Sequence, residues 1–252
     1  MPPVFFLTRP REEQTIRCMD DPRLRDMRHS CAHLLAAAVR ELWPEVKLGV
    51  GPVIDDGFYY DFDLEHRLTD EDFARIEKKM RGLAVQGLGY VREDLSIAKA
   101  MQRVTAMNQP YKLELIEQIE ATGSSAISDE ESRITNHESR EKLSTVSFYT
   151  TGTFVDLCRG GHVASTSDIG PFKLISVAGA YWRGDEKNPM LQRIYGTCWP
   201  TQTELDAYLE QLEEAKRRDH RKLGQELDLF TFSDLVGQGL PLFTPKGTLL
   251  RE

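Results

Sequence analysis

Residues 29–43 read His-Ser-Cys-Ala-His-Leu-Leu-Ala-Ala-Ala-Val-Arg-Glu-Leu-Trp, and this stretch decides the fold. It is dominated by good helix formers, and Pro44 directly after it cannot continue a helix. The stretch therefore predicts a helix that ends at Trp43. His29 and His33 are four residues apart within it, so we expect both imidazoles on nearly one helix face.

Around this helix, short apolar runs alternate irregularly with helical patterns. Strands are predicted at 46–50, 58–62, 90–95, 146–150, 154–157, 172–182 and 190–199. Further helices are predicted at 69–80 (after a capping box of Thr69 and Asp72), 97–107 and 111–120. Several strands follow one another without a helix between them. The order therefore favours an α+β fold, a mixed and mainly antiparallel sheet packed with helices, over a doubly wound parallel sheet.

Changes in composition separate a lead-in from the main domain and mark an insertion within that domain. Residues 1–26 lack periodicity and are rich in proline, so we interpret them as a lead-in. Residues 27–199 then form the main domain. Within it, 121–145 is rich in Ser, Thr, Glu and Arg without an apolar face, which predicts a solvated surface insertion.

A second change follows residue 199. Thr201 and Glu204 form a capping-box pattern, which predicts a long charged linker helix over 200–224. The remaining segment, 225–252, contains prolines and short apolar runs and is interpreted as the start of a further domain.

Composition sets limits on the class of protein. The 252 residues are 40% hydrophobic and 29% charged, which is ordinary for a soluble globular protein. No run approaches the roughly 20 apolar residues that span a bilayer, and no signal peptide is evident, so we predict a cytoplasmic protein without a membrane partner. The four cysteines are irregularly spaced, which favours free thiols or metal ligands over disulfides. The net charge of −8 argues mildly against non-specific nucleic-acid binding.

The residues that carry chemistry lie in two distant segments. The stretch 155–162 reads Val-Asp-Leu-Cys-Arg-Gly-Gly-His and supplies Asp156, Cys158 and His162. With His29 and His33, these give four nitrogen or sulfur ligands, which suits a tetrahedral zinc site. The same groups can instead orient a water without metal, since histidine titrates near neutral pH.

Each of these residues also has a structural interpretation. His33 can be a core histidine, Cys158 a small buried hydrophobic residue, and the glycine pair 160–161 a simple tight turn. Asp55, Asp56, Asp61 and Asp63 can be a metal cluster, although their alternation with aromatic residues fits the exposed side of a hairpin better.

Three further features have weaker signals. Tyr60 can face the histidine helix and orient a substrate. Lys112 has the pattern of a solvated surface lysine. The run 216–222 is the strongest basic segment, and it is either a solvated helix face or a phosphate contact.

Several tracts resemble the threonyl-tRNA synthetases of bacterial type, in particular their editing domain. They are His-Ser-Cys-Ala-His-Leu-Leu at 29–35, Gly-Pro-Val-Ile-Asp-Asp-Gly-Phe-Tyr-Tyr-Asp at 51–61, the stretch 155–162, Gly-Ala-Tyr-Trp-Arg-Gly-Asp at 179–185, Met-Leu-Gln-Arg-Ile-Tyr-Gly-Thr at 190–197 and Lys-Arg-Asp-His-Arg-Lys-Leu-Gly at 217–224. The resemblance extends from about residue 25 to residue 252. The histidine and cysteine pieces are shared with alanyl-tRNA synthetase editing domains, whereas 179–185 and 190–197 are more specific to the threonine enzyme.

The resemblance implies hydrolysis of tRNA(Thr) wrongly charged with serine, by water attack on the aminoacyl ester. The catalytic residues it implies are His29, His33, Cys158, His162, Lys112 and Asp156, with Tyr60 binding substrate and Asp156 orienting a histidine. It implies no cofactor for editing; zinc at His29, His33, Cys158 and His162 is permitted, as in the alanyl-type relatives. Weak tRNA contacts are expected from Lys216, Arg217, Arg218, Arg221 and Lys222.

The resemblance also assigns the segments. Residues 27–199 match the editing domain and 225–252 the start of a class II catalytic domain. The family's ubiquitin-like N-terminal domain is expected to be absent or truncated in 1–26. Full-length relatives, which are homodimers, ligate threonine to tRNA(Thr) with ATP, Mg²⁺ and a catalytic zinc. Those sites are expected beyond Glu252. Gly161 stands where the family pattern has proline, which is expected to loosen the turn.

Overall fold

The computed structural model describes residues 21–122, 144–232 and 240–251. The chain divides into two compact units, Met1–Gln202 and Thr203–Glu252. Most of the predicted lead-in and of the predicted insertion lies outside the described residues. No helix within those ranges is long and apolar enough to cross a bilayer.

The described residues contain seven α-helices and ten strands. The helices are α1 (Pro22–Leu42), α2 (Asp70–Ala84), α3 (Ile97–Ala106), α4 (Pro110–Thr122), α5 (Gln202–Arg217), α6 (His220–Glu226) and α7 (Pro245–Arg251). The strands are β1 (Lys47–Leu48), β2 (Val53–Ile54), β3 (Gly57–Asp63), β4 (Val91–Ser96), β5 (Thr145–Thr151), β6 (Phe154–Leu157), β7 (Phe172–Tyr181), β8 (Met190–Cys198), β9 (Phe230–Phe232) and β10 (Pro241–Phe243).

The first unit contains two antiparallel sheets. The larger sheet has the order β1-β3-β8-β7, with β2 also paired to β3, and the smaller one has the order β4-β5-β6. In the second unit β9 pairs with β10, again antiparallel. The predicted α+β class, with antiparallel strands and packed helices, is confirmed.

Helix α1 is the centre of the larger core. Every side chain from Ser30 to Val39 is buried, so this part of the helix is covered on all sides, in contrast to a surface helix with one apolar stripe. It packs against α2 and β3, with Leu35, Phe58 and Ile76 in the same apolar cluster. A second cluster lies between α3, α4 and the smaller sheet. The catalytic candidates of α1 therefore lie on the most deeply buried helix of the first unit.

The start of α1 corrects the predicted boundary of the lead-in at residue 26. Pro22 is the first helical residue, and the Asp21 carboxylate accepts a hydrogen bond from the Arg23 N–H at 2.9 Å. Proline is tolerated at this position because its missing N–H would have no helical partner anyway. The capping box of Thr69 and Asp72 is confirmed at the start of α2.

The predicted linker helix is also corrected. The helical stretch after residue 201 breaks between α5 and α6, where Asp219 caps α6 by accepting a hydrogen bond from the Arg221 N–H at 2.8 Å. A side chain that satisfies a backbone donor here favours a new helix start over continuation of the old one.

Two burial predictions were wrong. Asp61, expected on the exposed side of a hairpin, is buried on β3, an inner strand covered on both faces, and forms a two-point ion pair with Arg193 at 2.6 and 2.8 Å. Lys112 is buried rather than solvated, because α4 places it against Tyr60 and Asp156. Each buried charge has an opposite charge beside it, which is the condition under which burial is tolerated.

Candidate active site

Helix α1 and the loop after β6 bring four side chains together. The Sγ of Cys158 lies 3.3 Å from His29 Nε2 and 3.4 Å from His162 Nε2. With His33, the four residues place one ligand-type atom each within 4.8 Å of one another. Two segments at least 125 positions apart in sequence therefore contribute to one cluster, which we call the histidine cluster.

Two glycines shape the loop that carries His162. Gly160 and Gly161 have φ angles of 110° and 82°, in the region that favours glycine. The Gly160 N–H donates to Cys158 Sγ at 3.3 Å, and a Cβ on Gly161 would lie 2.6 Å from Asp26 Oδ1. Proline, whose φ is held near −65°, cannot adopt the Gly161 conformation. The loop is thus a different turn from one built on proline.

The tautomer of His29 follows from one contact. Its Nδ1 lies 3.0 Å from the Gly161 carbonyl oxygen, which can only accept, so Nδ1 carries the proton. Burial lowers the pKa of His29, although hydrogen bonds to the loop backbone oppose the shift. In the neutral ring Nε2 then has a free electron pair beside Cys158, suited to accept a proton or to bind a metal.

Burial keeps the remaining groups of the cluster uncharged. It lowers the pKa of His162 to about 2 and that of His33 well below its ordinary value. It raises the pKa of the Cys158 thiol to about 12. In the absence of metal, three neutral imidazoles and a protonated thiol are the result.

A buried charged network lies behind the cluster. Lys112 Nζ is 2.6 Å from Asp156 Oδ1, and Tyr60 donates its hydroxyl hydrogen to Asp156 Oδ2 at 2.5 Å. Lys112 Nζ also donates to the Tyr60 oxygen at 3.2 Å. The nearest histidine nitrogen to Asp156 is His33 Nε2, at 3.8 Å. The charged groups nearest to the histidine cluster therefore lie on its His33 side. Burial raises the pKa of the Tyr60 phenol well above its ordinary value.

The donor set fits a zinc ion. A nitrogen and a sulfur bound to the same tetrahedral zinc lie about 3.5 Å apart. The distances from Cys158 Sγ to His29 Nε2 and His162 Nε2, 3.3 and 3.4 Å, are close to this value. Each histidine faces a polar partner with its other ring nitrogen, as is common for metal-binding histidines. His29 faces the Gly161 carbonyl oxygen, His162 faces Ser30 Oγ, and His33 faces Asp156. His33 Nδ1 is buried and has no hydrogen-bond partner within the described part of the chain. His29, His33, Cys158 and His162 would hold the ion.

Comparison with known proteins decides the family. Residues 146–195 match the family model described as threonyl and alanyl tRNA synthetase second additional domain. The chain is 50% identical over 242 residues, 95% of its length, to the threonine–tRNA ligase of Gloeobacter violaceus, and covers 35% of that protein. It is 53% identical over 227 residues to the ligase of Rubrobacter xylanophilus, with 90% of this chain and 32% of the relative covered. The ligase of Geobacillus kaustophilus is 48% identical over 241 residues, with shares of 95% and 34%. The chain belongs to the bacterial-type threonine–tRNA ligase family. It spans about a third of the length of these relatives.

The candidate residues named for a threonine–tRNA ligase editing site do come together. The six predicted catalytic residues and Tyr60 all belong to the histidine cluster or to the network behind it. Of the four aspartates considered as a metal cluster, Asp61 pairs with Arg193 and Asp63 accepts from the Tyr111 hydroxyl at 2.8 Å. Cys31, Cys158 and Cys198 are free thiols, and Cys18 lies outside the described residues.

Two residues that hold His162 in place were missed by sequence reasoning. Ser30 Oγ lies 3.1 Å from His162 Nδ1 and accepts from the Val163 N–H at 3.0 Å. The Tyr90 ring stacks on His162 with centroids 4.6 Å apart, and its hydroxyl donates to the Ser30 carbonyl at 3.0 Å. Ser30 is three residues from His33, so helical spacing could have indicated it. Nothing in the sequence around Tyr90 indicates the stack.

The predicted tRNA-contact residues lie in the second unit. Lys216, Arg217, Arg218 and Lys222 are exposed, and each lies within 4.0 Å of a glutamate of α5 or α6. Arg221 is exposed as well. Intrahelical glutamates therefore offset much of the positive charge of this segment, although surface pairs of this kind are weak and exchange readily with another partner.

Proposed function

We propose that this chain hydrolyses the ester of serine wrongly attached to tRNA(Thr). The observation that supports this most directly is the neutral His29, whose Nδ1–H is bound to Gly161 and whose Nε2, beside the Cys158 thiol, is unprotonated and can accept a proton. An uncharged base beside a solvent-accessible loop is what water activation requires near neutral pH. The similarity to threonine–tRNA ligases supports tRNA(Thr) as the proposed substrate.

In the proposed reaction a water oxygen attacks the ester carbonyl carbon, and His29 Nε2 takes the water proton. The carbonyl becomes an oxyanion, and in this proposal the positive charge of Lys112, which is paired with Asp156 behind the cluster, contributes to its stabilisation. The tetrahedral intermediate then breaks its bond to the ribose oxygen, which receives the proton from His29. Serine and uncharged tRNA leave. Zinc, if bound at the histidine cluster, would supply Lewis-acid polarisation of an oxygen.

Selection for serine follows from size. Serine lacks one methyl group of threonine, and a pocket gains only about 1–3 kcal/mol from binding that methyl. A site that selects threonine by this methyl group therefore also accepts some serine. A second, hydrolytic pocket that is too narrow for threonine removes the resulting seryl ester. We propose that this occurs in the cytoplasm. Ligation of threonine with ATP is proposed only for full-length relatives.

The test is release of amino acid from charged tRNA(Thr). We expect the chain to deacylate seryl-tRNA(Thr) and to leave most threonyl-tRNA(Thr) intact. His29→Ala should lower the rate by about a hundredfold or more, the usual contribution of a general base. His66→Ala, at a histidine that is 45% exposed and pairs with Asp72 outside the histidine cluster, is the matched control. An intact seryl ester after incubation with folded protein would refute the proposal.

A zinc-dependent deacylase of alanyl type is the second candidate, favoured by the fit of the donor set. Metal analysis of the purified chain discriminates. One zinc per chain, lost in Cys158→Ser together with activity, supports this candidate. Full activity in metal-free protein supports the metal-independent reaction.

A third candidate is a tRNA-binding fragment without catalysis, supported only by the exposed basic residues of α5 and α6. It predicts salt-sensitive tRNA binding that Arg217→Gln and Lys222→Gln weaken, with no hydrolysis of either ester.

A further inference from the structure

A cleft of about 410 Å³ extends along α1 from His33 and is separate from the loop of Cys158 and His162. We call it the α1 cleft. Its α1 wall follows helical spacing, and the opposite walls come from the end of α2 and the turn between β5 and β6. The lining residues that the argument uses are Leu34, Arg40, Leu88, Thr151 and Phe154.

Apart from His33 Nδ1, which belongs to the histidine cluster, two polar atoms of residues that line the α1 cleft have no hydrogen-bond partner among the described residues. They are Nη1 of Arg40 and Oγ1 of Thr151, both buried, and Thr151 as a whole is only 7% exposed. Within the same ranges, Arg40 takes part in none of the ion pairs. A buried donor without an acceptor destabilises a fold, so two such donors in one cleft require an explanation.

The charge of the cleft is set by Arg40. Glu41 also lines it, but its carboxylate is ion-paired with Lys79. The rest of the lining is mainly apolar, with Leu34, Leu88 and Phe154 among the walls. An apolar cavity of this size with a few convergent polar groups is typical of a small-molecule site, for which about 300–1,000 Å³ is usual.

We propose that the α1 cleft binds a small organic anion with an apolar body. Its carboxylate or phosphate accepts hydrogen bonds from Arg40, and a second acceptor of the ligand binds the Thr151 hydroxyl. The apolar body packs on Leu34, Leu88 and Phe154. Because His33 borders both the cleft and the histidine cluster, the ligand lies directly beside the candidate active site. This site is additional to the ester-hydrolysing one and does not depend on it.

Calorimetry with the whole chain tests the proposal with two anions, adenosine 5′-monophosphate and 3-phenylpropanoate. Their uncharged counterparts, adenosine and 3-phenylpropan-1-ol, report the contribution of the anion. We expect at least one anion to bind more tightly than its counterpart. Arg40→Gln should weaken that binding by about tenfold to a hundredfold, the range for hydrogen bonds to charged groups. Arg25→Gln changes the same charge on an exposed part of the same helix and should have no effect.

Thr151→Val gives a second, independent readout. It removes the unpartnered hydroxyl, so the ligand-free protein should be as stable as the unmutated chain or more stable, while anion binding weakens about two- to tenfold. The two anions separate a phosphate ligand from a carboxylate ligand.

The proposal is overturned if neither anion binds better than its counterpart, or if folded Arg40→Gln binds the anion as the unmutated chain does. Hydrolysis of seryl-tRNA(Thr) is measured on the same preparations. Loss of anion binding in Arg40→Gln with hydrolysis unchanged supports this site alone. Retained anion binding in a chain that hydrolyses nothing contradicts only the proposed function.

Discussion

His29 Nδ1 donates a hydrogen bond to the Gly161 carbonyl oxygen at 3.0 Å, and this contact joins the central helix to the loop that carries Cys158 and His162. It fixes which nitrogen of His29 is free, and it depends on a backbone conformation at Gly161 that only glycine adopts easily.

Substitution of Gly161 should damage both stability and the proposed hydrolysis. In Gly161→Ala the added Cβ meets Asp26 Oδ1 at 2.6 Å, and the φ of 82° is strained for alanine. We expect a loss of about 1–3 kcal/mol in the free energy of unfolding, measured in urea. Gly184→Ala isolates the strain from the clash, because Gly184 has a φ of 72° and open space around it. Equal losses in both variants would show that the contact with Asp26 is unimportant.

The buried pair of Lys112 and Asp156 should show strong coupling. Asp156→Asn leaves the Lys112 charge buried without its counter-charge, which we expect to destabilise the chain by about 3–5 kcal/mol. Lys112→Met should have a comparable effect, whereas the double variant should lose less than the sum of the two. Denaturant unfolding of all four proteins forms the thermodynamic cycle. Simple additivity would argue that the two charges do not interact.

Acid should destabilise the metal-free protein. His33 and His162 stay neutral in the folded state because burial lowers their pKa, to about 2 for His162, whereas an unfolded histidine binds a proton near pH 6.5. The unfolded chain therefore holds more protons below pH 6.5. Stability should be complete above that pH and fall below it by about 1.4 kcal/mol per pH unit for each such histidine.

Unfolding measured between pH 7 and pH 5 in the presence of chelator checks this slope. His162→Gln should reduce the slope by the contribution of one histidine, about 1.4 kcal/mol per pH unit. His220→Gln, exposed to solvent, should leave it unchanged. A slope that His162→Gln does not alter would contradict the assignment of a neutral buried His162.

Ser30 should act through the position of His162. Ser30→Ala leaves the Val163 N–H without its acceptor and frees His162 Nδ1, which we expect to cost about 1–3 kcal/mol of stability. If zinc binds the cluster, its affinity should fall about 10- to 100-fold, as for other partners of metal-binding histidines. Metal titration and unfolding measure both effects. Ser96→Ala, at an exposed residue whose side chain forms no cap hydrogen bond, is the control, and equal behaviour of the two variants would exclude the role.

Local signals predicted much of this fold. The apolar run at 29–43 and the capping box of Thr69 and Asp72 specify helices because their determinants are neighbours in sequence. The same logic was wrong at Pro22, where a proline suited to the first helical turn was interpreted as part of a lead-in. It was wrong again near Asp219, where a capping side chain divides one predicted helix into two.

The histidine cluster could be predicted in its membership but not in its arrangement. Sequence alone determined the four candidate ligands, through the spacing of His29 and His33 on one helix and the dense motif that contains Cys158 and His162. Only the tertiary structure decided that Gly161 sets the tautomer of His29 and that Tyr90 stacks on His162. It also decided that Lys112 is a buried partner of Asp156. The reason is physical: residue type and helical period are local properties, whereas burial, charge pairing and pKa depend on which distant segments the fold packs together.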